Sequence, residues 1–343
     1  MNEDEHFIIE TENEHLLEED QPSLANRFPV RRQLLIIGVF MFLLFAGFTI
    51  PKTIALLHSE DSDTTIQAST NLATDTQEVT PKIITDVKIY ADAAFVWDVV
   101  GQRALYQKNA DEPLPLASIT KLMTALVAYE LVTSDTPVTI TKTAAAQQSG
   151  GSFTEGEVFA AKELADFALI SSYNSAAYTL AATVGELLGD EDAVTQFVAA
   201  MNIRAEELNL TTLEYVNPTG LDVSATEAGA VGSARDTAFL MEYILLNHPE
   251  ILTPTVTEYT RLYNQSGAFH EAYNTNDILT DIPNLLGSKT GFTDLAGGNL
   301  IIAFDAGYNR PIIVTVLGSS RNERFSDIKK LVAAVEETMS HIE

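Results

Sequence analysis

Three short motifs follow one another along the chain: Ser118-Ile-Thr-Lys121, Ser172-Tyr-Asn174 and Lys289-Thr290-Gly291. They supply a serine hydroxyl with a lysine amine three residues on, a second hydroxyl with an amide, and a distant ammonium. That set suits acyl transfer through a serine ester, with lysine rather than histidine as the base. On a helix, residues i and i+3 share a face with Cβ atoms about 5–6 Å apart, so the Lys121 amine is within reach of the Ser118 hydroxyl. A free lysine titrates near ~10.4 and is a poor base at neutral pH. Burial or a second cation must lower that value, and Lys289 is the candidate cation. Ser118 opens a helical pattern, where its backbone N–H and the positive helix end could hold an oxyanion. The N–H of Phe292 is the candidate second donor. Ser172 is placed to relay a proton, and Asn174 to hold a substrate amide or Lys121. Lys289 and the Thr290 hydroxyl suit a carboxylate, and Gly291 lets a substrate strand approach its backbone.

Each motif also has a plainer reading: a serine N-cap with a first-turn lysine, a turn between two helices, and a surface turn. The chain repeats the first pattern at Ser326 with Lys329, and S-x-N at Ser69 with Asn71 and at Ser320 with Asn322. Order and spacing of the three together therefore carry the signal.

The elements that must position these residues are legible in outline. Residues 93–100 form a β-rich run, and Leu105-Tyr106 after Gly101 suggests a second strand and a hairpin. From Ser118 the apolar residues Ile119, Leu122, Met123, Leu126 and Val127 recur at helical spacing. Residues 163–188 read as one or two buried helices, 192–208 and 234–246 as further helices, and 324–341 as a closing helix. Residues 300–304 and 311–317 read as strands joined through Gly307-Tyr-Asn-Arg310, with the Lys289 motif just ahead of them. Strands at both ends with helices between imply an α+β domain whose terminal strands share one sheet.

The 343 residues leave room for a tail, an anchor and one domain of about 250 residues. The first twenty residues hold nine Asp or Glu and no Lys or Arg, so residues 1–32 read as an acidic tail. Residues 34–50 are uncharged, and the segment 33–57 reads as a transmembrane helix. Arg27, Arg31 and Arg32 precede it and put the N-terminus in the cytoplasm. The alternative is a cleaved signal peptide. Residues 58–82, rich in Ser, Thr, Asp and Gln, read as a flexible linker, and 83–343 as the extracytoplasmic catalytic domain. A net charge of -28 argues against nucleic acid. With no cysteine there is no disulfide, thiolate site or cysteine nucleophile, and the six histidines form no metal-binding motif. No cofactor or metal is expected.

The sequence resembles the low-molecular-mass penicillin-binding proteins that act as serine D-Ala-D-Ala carboxypeptidases. The resemblance lies in Pro115-Leu-Ala-Ser-Ile-Thr-Lys-Leu-Met-Thr-Ala125, Met201-Asn-Ile-Arg-Ala205, Asn217-Pro-Thr-Gly-Leu-Asp222, Ser233-Ala-Arg-Asp236 and Gly287-Ser-Lys-Thr-Gly-Phe-Thr-Asp294. It implies a β-lactamase/transpeptidase-like fold with an all-helical subdomain. It also implies Ser118 as acylated nucleophile, Lys121 as base, and Ser172, Asn174, Lys289 and Thr290 completing the site. The implied substrate is a peptidoglycan stem peptide ending in D-Ala-D-Ala, and β-lactams would acylate Ser118. Three positions depart from the family pattern: Ser175 stands for an aspartate, Thr219 for a histidine and Asn209 for a helix-ending glycine. Two other readings share the fold. A class A β-lactamase needs a glutamate where Ala205 stands, with Glu206 and Glu207 out of register. An inactive wall-binding scaffold would not need the six polar positions that are kept.

Overall fold

The computed structural model describes residues 83–340, apart from 150, 152, 190, 191 and 308. The expected tail, transmembrane helix and linker lie outside the described residues. Among the described residues no helix is long and apolar enough to cross a membrane.

Five strands form the main sheet: β1 (Ala93–Asp98), β2 (Arg103–Lys108), β3 (Leu285–Thr293), β4 (Gly297–Asp305) and β5 (Pro311–Ser319). Their order is β3-β4-β5-β1-β2, and every pairing is antiparallel. The first hairpin thus docks on the last strand, and the two chain ends share one sheet as expected. Helices fill the interval: α1 (Lys121–Leu131), α2 (Ala161–Ile170), α3 (Asn174–Gly185), α4 (Ala193–Glu207) and α5 (Ala234–Asn247). A last helix, α6 (Glu323–Ser340), closes the fold.

The sheet is buried on both faces, which is why its strands read as apolar runs rather than as alternations. Ala94, Val96, Ile302 and Val314 point to one face, where α6 covers them with Phe325, Ile328, Leu331 and Val335. Phe95, Trp97, Ile301 and Ile313 point to the other, which belongs to the core shared with the helical region. The two hairpin turns are pinned to each other. Asp98 is fully buried and accepts hydrogen bonds from Arg310 at 2.6 and 3.2 Å, from Arg103 at 3.3 Å and from the Gly101 N–H at 2.9 Å. Burial alone would raise its carboxyl. The Arg310 and Gly101 hydrogen bonds and the two guanidinium charges outweigh it and hold the group below the ordinary aspartate value.

Two expectations about local structure are corrected. Ser118 does not sit in the first turn of an α-helix. It lies in a 3₁₀ turn, Ala117–Thr120, and α1 begins only at Lys121. The Lys289 motif does lie just ahead of the two expected strands, but it is not a surface turn. It is the middle of β3, an edge strand paired only with β4 within the sheet. Its Gly, Ser, Lys and Thr residues have no apolar alternation, so the pattern that marks a half-buried strand is missing.

Candidate active site

The Ser118 turn is built by its neighbours. Ala117 is held at a φ of 49°, in the left-handed region that an alanine avoids. Asn299 of β4, fully buried, donates to the carbonyls of Pro115 at 2.9 Å and Leu116 at 3.1 Å, while its own oxygen accepts from the Gly318 N–H at 2.8 Å. One amide thus clamps the turn to two strands. Two glycines let the backbones close in. A Cβ on Gly220 would lie 1.9 Å from the Ala117 carbonyl oxygen, and one on Gly291 would lie 2.9 Å from the Leu116 oxygen. The protein's own serine turn thus closes on Gly291, which also lines the cavity. In a 3₁₀ turn, residues i and i+3 eclipse, so Ser118 and Lys121 stand one above the other.

Lys121 Nζ lies 2.7 Å from Ser118 Oγ, 2.7 Å from Asn174 Oδ1 and 2.8 Å from the Thr219 carbonyl oxygen. The lysine is fully buried. Burial, and after it the charge of Lys289, push the Lys121 amine well below its ordinary value. A neutral amine has two N–H groups and one lone pair. In that form the two carbonyl oxygens, which can only accept, would take both N–H groups and leave the lone pair for the Ser118 hydroxyl. Asn174 is oriented in turn, since its Nδ2 donates to the Gln148 carbonyl at 2.6 Å.

Ser172 occupies the break between α2 and α3 with a φ of 60°. The turn reading and the functional reading of this residue thus describe one place. Its Oγ accepts from Lys289 Nζ at 2.9 Å, and Lys289 also donates to the Thr290 carbonyl at 2.9 Å. Lys289 is buried as well, and burial followed by the charge of Arg324 brings it down to about 7. Thr290 Oγ1 lies 2.6 Å from Thr275 Oγ1.

These groups share a cavity of about 650 Å³, with Ser118, Ser172, Asn174, Thr290, Gly291 and Phe292 in its wall. The two lysines lie beneath that wall rather than in it. The Phe292 ring stands at the rim with the Arg321 guanidinium 4.9 Å from its centre. Arg321, Arg324, Thr275 and Asp277 complete the wall on the β3 side, and none was among the expected site residues. Arg324 Nη1 donates to the Gly291 carbonyl at 2.6 Å, tying the start of α6 to the edge strand. A signal for these arginines existed. The chain has only 20 Lys and Arg against 48 Asp and Glu, and two cations stand just past the last strand. Of the repeated patterns, Lys329 pairs with Asp281 at 3.2 Å, half exposed; Ser320 Oγ accepts from the Glu323 N–H at the start of α6, although Asn322 also lines the cavity; and Ser69 and Asn71 lie outside the described residues.

The family model for D-alanyl-D-alanine carboxypeptidases, peptidase S11, matches residues 76–321. The chain belongs to that family. It is 32% identical over 236 residues to the D-alanyl-D-alanine carboxypeptidase DacF of Bacillus subtilis, covering 67% of this chain and 58% of that one. It is 30% identical over 252 residues to a D-alanyl-D-alanine endopeptidase of Pseudomonas aeruginosa, covering 71% and 76%. Penicillin-binding protein D2 of Listeria monocytogenes, solved in its ampicillin-bound form, superposes with a TM-score of 0.63 at 29% identity, covering 73% of this chain and 99% of that one. The fold is thus the α+β fold of penicillin-binding proteins.

Within the S11 frame two of the three departures, Thr219 and Asn209, have local explanations. At position 219 the contact to Lys121 is made by the main-chain carbonyl, so a threonine serves there as a histidine would. Asn209 ends its helix with a φ of 57°, a conformation asparagine tolerates better than most residues. Glu206 and Glu207 are exposed on the surface, and Asp277 is the only carboxylate in the described wall of the cavity. That disfavours the β-lactamase reading, which needs a glutamate-held water.

Proposed function

We propose that this chain is a membrane-anchored serine D-Ala-D-Ala carboxypeptidase that trims peptidoglycan stem peptides outside the cell. One observation carries the chemistry: the buried Lys121 Nζ lies within hydrogen-bond distance of two carbonyl oxygens, of Asn174 and Thr219, and of the Ser118 hydroxyl. Ser118 Oγ attacks the carbonyl of the penultimate D-alanine while its proton passes to Lys121 Nζ. The backbone N–H groups of Ser118 and Phe292 hold the oxyanion. Collapse breaks the peptide bond, and the proton that Lys121 Nζ took from Ser118 passes by way of the Ser172 hydroxyl, which Lys289 orients, to the leaving amine, so that Lys121 is neutral again. Thr290 holds the terminal carboxylate, and Lys289 beneath the wall and Arg324 in it add positive potential there. Water, deprotonated by Lys121, then releases the acyl group and returns Ser118 to its starting state. β-Lactams enter the same first step and form an adduct on Ser118.

Two measurements test this. The full chain treated with a fluorescent penicillin should carry one adduct, located by mass spectrometry to the peptide containing Ser118. No adduct, or one on another residue, overturns the assignment. The anchor rests on the uncharged residues 34–50 preceded by Arg27, Arg31 and Arg32. The full chain should stay with membranes after an alkaline carbonate wash, and release into the supernatant would end the anchor proposal.

A further inference from the structure

A two-stranded ribbon, Tyr259–Tyr263 paired with Phe269–Tyr273, stands beside the cavity. Its inner face is spent on the core, through Leu262 and Ala272. Its outer face forms three rungs: Tyr259 opposite Tyr273, Arg261 opposite Glu271, and Tyr263 opposite Phe269. The four rings are 38%, 58%, 51% and 46% exposed in that order. Solvent-facing strand positions do not ordinarily collect rings, and clustered exposed aromatics mark contact surfaces.

The face is also pre-organised. The Tyr259 and Tyr273 hydroxyls donate to the two oxygens of Glu271 at 2.9 and 3.0 Å, Arg261 Nε donates to the Tyr259 hydroxyl at 2.9 Å, and the Arg261 guanidinium lies 4.4 Å from the centre of the Phe269 ring. Most of the side-chain ordering that binding requires is already done. Its charge is balanced, Arg261 against Glu271, on a chain that carries -28 overall. A neutral face of rings divided by one polar rung suits an uncharged saccharide, whose rings offer apolar C–H faces and hydroxyl edges. It suits neither an anionic lipid surface nor a strongly basic protein.

The ribbon runs into the cavity wall. The Tyr273 carbonyl accepts from Ser171 Oγ at 3.1 Å, and two residues on, Thr275 contacts Thr290. Ser171 and Thr275 both line the cavity. The two aromatic rungs are four residues apart, about 13 Å along the strand, enough to seat more than one sugar ring. We propose that the outer face of this ribbon binds the saccharide strand to which the stem peptide is attached, so that the polymer is held while its peptide end enters the cavity. This rests on the carboxypeptidase reading above.

The test compares three variants of the full chain: wild type, Tyr263→Ser/Phe269→Ser, and the ring-preserving swap Tyr263→Phe/Phe269→Tyr. On polymeric peptidoglycan the serine pair should raise KM roughly tenfold, while the swap stays near wild type. Release of D-alanine from a short free peptide and acylation by penicillin should stay within about twofold of wild type in both. Wild type, but not the serine pair, should sediment with glycan strands stripped of their peptides. An unchanged KM on polymer, or a swap as impaired as the serine pair, overturns the proposal. So does a concentration-dependent dimer that the serine pair abolishes, because the face then serves a second copy. A displaced ribbon would carry Ser171 and Thr275 with it and slow penicillin acylation, in which case the single Tyr263→Ser variant is read the same way. If wild type is not acylated at all, the carboxypeptidase reading fails, while the sedimentation arm still reports on the ribbon.

Discussion

Ser118→Ala is expected to abolish both D-alanine release and labelling by a fluorescent penicillin, lowering kcat/KM by roughly 10⁴-fold or more, as removal of a serine nucleophile does elsewhere. The melting temperature should stay within a few degrees of wild type. The hydroxyl is half-buried and caps no helix, so its loss leaves no buried donor stranded. Lys121 keeps Asn174 and Thr219 as acceptors, and Asn299 still clamps the turn through backbone carbonyls. The second S-x-x-K pattern gives this prediction its edge. Ser326 and Lys329 lie on α6, and that lysine is taken up by Asp281 at the surface. A variant that kept its penicillin label would show that some other hydroxyl is acylated, and the reading of the cavity would fall with it.

The same contrast explains what could be read from residues alone. Apolar runs mark strands buried on both faces, so β1, β4 and β5 were legible, and so was their meeting in one sheet. Helices α4, α5 and α6 follow their apolar spacing to within a residue or two of their ends. The edge strand β3 was not legible, because its residues face the cavity and the serine turn, and those neighbours select small and polar side chains. The 3₁₀ turn was hidden for a related reason. Its geometry is imposed by Asn299 and Gly220, which are far away in sequence. The eight expected site residues came from motif spacing, and the structure places six in the wall of one cavity with both lysines beneath it. Arg324 and Thr275 could not be found that way, because each belongs to the site through a single contact across the fold. The ribbon rings escaped notice altogether, since Tyr and Phe at strand spacing say nothing about which face is wet.

Lys121→Met should separate activity from stability. Loss of a general base lowers acylation by about 10²–10⁴-fold, so the rate with penicillin and the release of D-alanine should both fall by that order. Stability should move little, because two effects oppose each other. The Asn174 and Thr219 oxygens lose their donor, at a cost of about 1–3 kcal/mol each. Against this, a buried amine whose folded pKa lies well below its unfolded one is itself destabilising at neutral pH. The unfolded chain binds that proton up to about 10.4 and the folded chain only up to its own, lower value. The stability this amine lacks at neutral pH returns only as pH rises towards the unfolded value, and methionine removes the penalty outright. The pH profile then tests how the depression arises. In wild type, acylation should decline tenfold per pH unit once pH falls below the Lys121 pKa, because the protonated amine has no lone pair. Lys289 is the cation that helps hold that value down. Lys289→Met should therefore move the acid limb to higher pH, whatever it does to substrate binding. An acid limb that stays in place in Lys289→Met would mean that burial alone sets the Lys121 pKa. A Lys121→Met protein that still acylates at the wild-type rate would mean that the base is another group.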